Sequence, residues 1–101
     1  MTEKEVRNNL HKILDLVIDV NGLNPRTKAK TGNLPTVFFG FNGHVSILDI
    51  DIHKDGWPGK EIESYKFFLD FETRSKFNKI IMDLESIKNA LEAETSNGQS
   101  K

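Results

Sequence analysis

A chain of 101 residues that is 37% hydrophobic and 29% charged has room for one domain with one core, and this balance argues against global disorder. The absence of cysteine excludes disulfides and thiolate metal sites, and no apolar run approaches the ~20 residues that span a bilayer. The net charge of −1 divides into +2 over residues 1–34, −4 over 35–72 and +1 over 73–101, so the middle of the chain is acidic and poorly suited to phosphate.

Residues 2–21 are predicted to form an amphipathic helix. Thr2 and Glu5 fit a capping box, in which each side chain satisfies an N–H left free at the helix start. Val6, Leu10, Ile13, Leu14, Val17 and Ile18 follow the spacing of one helical face, expected to pack on the core. Asn21-Gly22 suits the helix C-terminus. Residues 1–21 carry acids throughout and lack a signal-peptide cleavage pattern, so the expected location is cytoplasmic. Residues 22–34 read as a linker interrupted by Pro25 and Gly32, in which Arg26, Lys28 and Lys30 give a local charge of +3. Such a stretch is expected to be a solvated loop, or an arm for phosphate or an acidic partner.

Strands are predicted over 36–41, 44–53 and 62–71. Asn42-Gly43 between apolar runs is a strong hairpin signal. A two-residue turn there pairs Phe41 with His44, Phe39 with Ser46 and Val37 with Leu48. Side chains alternate between faces. One face then carries Val37, Phe39, Phe41, Leu48, Ile50, Ile52, Tyr65, Phe67, Leu69 and Phe71. The other mixes Phe38, Val45, Ile47, Ile62 and Phe68 with Thr36, Asp49, Asp51, His53, Ser64, Lys66 and Asp70. The connector 54–60 is rich in turn residues and holds the only tryptophan, Trp57, expected either to cap one end of the core or to stand out as an aromatic anchor.

A second helix is predicted over 73–93 with Thr73 as N-cap. Phe77, Ile80, Ile81, Leu84, Ile87 and Leu91 form an apolar stripe interrupted by Lys88. Residues 95–101 are polar and expected to be a disordered tail. The fold class is therefore α+β: one domain over 1–94, a three-stranded antiparallel meander flanked by N- and C-terminal helices, αβββα.

Two amphipathic helices need one apolar sheet face between them. The purer face is expected inside, leaving the mixed face outward. That face suggests a protein-binding surface made of Phe38, Val45, Ile47, Trp57, Ile62 and Phe68, for another protein or a second copy. One helix on each face would instead leave nothing exposed. The runner-up is single-stranded nucleic acid, with bases stacked on Phe38 and Phe68 and phosphates met by Arg26, Lys28, Lys30 and Lys66; Asp49, Asp51 and Asp70 oppose it. Asp49, Asp51 and His53 share a face, but successive same-face positions lie ~6.6 Å apart, too far for one ion to reach all three, so no metal is assigned. No Ser–His–Asp constellation, phosphate loop or cofactor motif is present, and no catalytic residue or cofactor is assigned.

The run Val37-Phe38-Phe39-Gly40-Phe41-Asn42-Gly43-His44-Val45, with the alternating strand and Asp55-Gly56-Trp57 after it, resembles small uncharacterised phage and prophage proteins of Gram-positive bacteria over about residues 36–75. The resemblance implies an accessory protein that acts by binding host machinery in the host cytoplasm. It transfers no activity.

Overall fold

The computed structural model describes residues 2–44, 46–69 and 74–99. The elements are α1 (Glu3–Asn21), α2 (Lys28–Thr31), β1 (Thr36–Asn42), β2 (Ile47–His53), β3 (Glu63–Phe68) and α3 (Arg74–Gln99). The strands form one antiparallel sheet in the order β1-β2-β3. This is the predicted αβββα arrangement, with α2 added.

Both long helices pack on the same sheet face. Ile13, Leu16, Val17 and Val20 of α1 and Phe77, Ile80, Ile81 and Leu84 of α3 share a core with Val37, Leu48, Ile50, Ile52 and Phe67. The α1 stripe differs from expectation: Leu16 and Val20 are buried, whereas Leu14 and Ile18 are exposed. Two overlapping sets of apolar residues fit helical spacing here, and docking chose between them. Lys88, which interrupts the α3 stripe, reaches Asp19 of α1 at 3.1 Å. The other end of the helix pair is held by Arg74, which donates to both Glu5 carboxylate oxygens at 2.7 and 3.0 Å. The two contacts share one sequence offset, 69 residues, so α1 and α3 run parallel.

The capping box is therefore half formed. The Thr2 hydroxyl accepts from the Glu5 N–H at 3.1 Å, while the Glu5 carboxylate turns to Arg74. The Arg74 fork outweighs desolvation and holds the Glu5 carboxyl down at about 2, against an ordinary value of 4.5. A depressed carboxyl contributes stability that is fully present above its unfolded pKa and lost as pH falls through its folded one. The clasp thus persists through mild acid and opens towards pH 2. In Arg74→Ala the Glu5 carboxyl is expected to titrate well above its wild-type position, towards the ordinary carboxylate range, as followed by NMR of its side-chain carbon.

The hairpin register differs from the predicted one. Asn42 pairs with Ile47, Phe41 with Leu48, Phe39 with Ile50 and Val37 with Ile52, so the pairing ends at Asn42 and Ile47 and not at Phe41 and His44. Ser46 adopts a positive φ of 52° there. A two-residue turn would leave Ile50 and Ile52 running past the start of β1 unpaired. The observed register sets all of β1 against the most apolar part of the middle strand. The slip is four residues, an even number, so the paired residues of β1 and β2 keep their predicted faces.

The 22–34 segment is tethered. It contains α2, whose Lys28 N–H donates to the Trp57 carbonyl at 2.8 Å. Arg26 donates to the Asn21 carbonyl at 3.0 Å. Gly56, buried and at φ +93°, lets the 54–60 connector lie against the carbonyls of Gly32 and Leu34. At the other terminus α3 runs to Gln99, so residues 95–99, expected in a disordered tail, continue the helix; each residue added to an existing helix gains a hydrogen bond without a new nucleus. Asp70, Phe71 and Thr73, to which sequence roles were given, lie outside the described residues.

Candidate protein-binding face

The sheet face opposite the helices is built in rows by the register. From the connector end they read Thr36–His53, Phe38–Asp51–Ser64, Gly40–Asp49–Lys66 and Asn42–Ile47–Phe68. Phe38 and Phe68 keep 42% and 39% of their surface exposed, and Ile47 is half-buried between Asn42 and Phe68. Phe38 and Phe68 look outward, as the alternation predicts.

The apolar positions form two groups. At the connector end, Phe38 packs on His53 with ring centroids 4.9 Å apart and on Trp57 at 5.9 Å. Trp57 and Ile62 are both exposed; Trp57 thus extends the outer face rather than capping the core. Ile62 sits one step before β3, level with His53, and lines an open groove of about 440 Å³ with Lys54, Lys60, Glu61 and Glu63. Ile47 and Phe68 make the second group, four residues along the strands, or ~13 Å away. Asp49 and Asp51 of the central strand lie between them, with Asp49 accepting from Asn42 Nδ2 at 3.0 Å. The surface is two apolar corners across an acidic centre, not one continuous patch. Val45 lies outside the described residues.

His53 is only 5% exposed, covered by the Phe38 ring, and its Nδ1 has no hydrogen-bond partner among the described residues. Among those residues no group of three His, Asp or Glu side chains is placed to hold a metal ion. The basic side chains are not gathered on this face. Arg26 points back to α1, its Nε buried and its pKa lowered by desolvation. Lys28 and Lys30 are exposed on α2, and Lys66 stands in the Asp49 row.

Sequence reasoning missed two polar assemblies. The first is a fork: Asn21 Nδ2 donates to the Val37 carbonyl at 2.7 Å, and the Val37 N–H donates to Asn21 Oδ1 at 2.8 Å. The second surrounds Tyr65, whose hydroxyl contacts Glu63 and Asp83, with Lys79 donating to Asp83 at 2.9 Å and Lys54 pairing with Glu63 at 3.0 Å. Burial, then the two carboxylates, push the Tyr65 phenol far up, so it stays protonated and offers no base. Burial alone would raise Asp83, but the Tyr65 hydroxyl and Lys79 outweigh it and hold the carboxyl low. The cluster ties β3 to α3.

No family model, curated protein or solved structure matches the chain. Among the described residues no helix is long and apolar enough to cross a membrane.

Proposed function

We propose that this chain is a small accessory protein of phage type that binds a protein partner in the host cytoplasm through the outer face of its sheet, without catalysis. The observation that carries the binding reading is the exposed pair Phe38 and Trp57, in ring contact on a face that neither long helix covers. Aromatic side chains that stay exposed beside half-buried neighbours are the usual anchors of protein interfaces. The phage origin rests on the motif resemblance over residues 36–75. Asp49 and Asp51 across the centre favour a partner with basic groups between two apolar contacts, and they repel phosphate.

The test compares complexes recovered from bacterial extract with the wild-type chain, with Phe38→Ser/Phe68→Ser and with the surface control Lys12→Ser. A stoichiometric protein held by wild type and control and lost by the double variant supports the reading. Equal recovery by all three, or no stoichiometric protein, overturns it. Oligonucleotide binding that falls steeply with salt would favour the nucleic-acid alternative instead.

A further inference from the structure

The strand order leaves two sheet edges, and they are finished differently. On β3 the outward carbonyl of Lys66 accepts from the Lys76 ammonium, and Glu63 and Lys66 place charge along the strand. Charges on an edge discourage pairing with another chain. On β1, Thr-Val-Phe-Phe-Gly-Phe-Asn, there is no charge and no proline. The Asn21 fork occupies both polar groups of Val37, which shows that Val37 faces away from β2. Antiparallel strands alternate, so Phe39 and Phe41 also present their N–H and carbonyl groups to the outside. Among the described residues none of these four groups has a partner.

We propose that a second copy of this chain pairs antiparallel along this edge, with the two-fold axis at Gly40. In that register Phe39 of each copy faces Phe41 of the other, and both are hydrogen-bonding pairs. Every free group on both edges is then satisfied. Gly40 meets Gly40 at the axis in a non-hydrogen-bonded pair, where backbones approach to ~4.5 Å. Val37, already occupied, falls opposite Gly43, which has no side chain to meet the Asn21 fork.

A second, independent feature flanks the same edge. Leu14, Ile18 and Asn21 follow one another at spacings of four and three, so they share one stripe of α1. Asn21 touches the outer edge of β1, which places the exposed Leu14 and Ile18 on the side of α1 that faces beyond the sheet. Phe41, on the same sheet face as the helices, is 53% exposed. A strand added to β1 directs its own Phe39 and Phe41 onto this strip. The occupant is a second copy because the open stretch is as short as its own two-fold image requires and supplies matching aromatic pairs on one face. The pairing uses the sheet edge and α1, so it stands or falls apart from the outer-face reading.

Light scattering on the full chain, from about 10 µM to about 1 mM, reads the mass against the 11.5 kDa of one chain. A doubled mass that Phe41→Lys abolishes, with its amide spectrum still folded, is the expected result. Because the chain has no cysteine, Gly40→Cys tests the register. A Cβ at Gly40 meets nothing within 4 Å, and Cα atoms ~4.5 Å apart suit a disulfide. Gly40→Cys should cross-link roughly tenfold faster under mild oxidation than Ser64→Cys on β3, since pairing raises the local thiol concentration. A single-chain mass throughout, a dimer that survives Phe41→Lys, or equal cross-linking of the two cysteine variants overturns the proposal.

Discussion

Replacing Phe67 by alanine is expected to cost about 3–5 kcal/mol, while replacing its neighbour Phe68 by serine costs about 1 kcal/mol. Phe67 is fully buried, with its ring 5.0 Å from that of Phe77 and Leu48 across the strand. Truncation there removes its transfer energy and leaves a cavity walled by β2 and α3. Domains of this size are stable by about 5–15 kcal/mol, so the loss would unfold a sizeable fraction of the chain on modest heating. Phe68 points the other way, and its ring keeps 39% of its surface exposed. Chemical denaturation of the two variants separates these outcomes. Near-equal losses would mean that a helix or another segment covers the outer face, and the proposed interface would then be absent.

Gly56→Ala should destabilise by about 2–3 kcal/mol, and more than Gly40→Ala by a wide margin. A Cβ at Gly56 would stand 2.9 Å from the Gly32 carbonyl oxygen and 3.3 Å from that of Leu34, at a φ of +93°. Neither obstacle is the end of a flexible side chain. The connector would have to lift away from the 28–34 segment, breaking the bond from the Lys28 N–H to the Trp57 carbonyl. Trp57 is the only tryptophan, so its fluorescence reports this directly. A Gly56→Ala chain that keeps the wild-type melting temperature and emission maximum would show that the contact is not needed. Gly40 is neither crowded nor at positive φ and serves as the control.

The parts of this fold that were legible depend on periodicity. Alternation along β1, β2 and β3 sorted the sheet faces, and it survived a wrong turn because the register error was even. The α3 stripe was readable through Lys88, whose place on it is explained by Asp19. The hairpin register was not readable, because Asn42-Gly43 is a local signal while register is chosen by how much apolar strand finds a partner. The rotation of α1 was ambiguous for a similar reason: Leu14 and Ile18 fit helical spacing as well as Leu16 and Val20 do. The 22–34 segment reads as a linker from its proline and glycine, yet main-chain groups hold it in place, and main-chain bonds leave no compositional trace. Asn21 was accounted for as a helix terminator, which hid its second role at Val37. Of the candidate surface, Phe38 and Phe68 were placed outward correctly, but its division into two corners needed the observed rows.

The unlike finish of the two sheet edges limits how large any ordered stack of these chains can grow. An endless ribbon needs every subunit to offer one rail and accept another, β1 against β3. Here Lys76, seated on the Lys66 carbonyl, occupies one acceptor of the second rail and adds a positive charge there. Edge pairing through β1 would therefore close at two copies instead of propagating, because the charged β3 edge is the less open of the two.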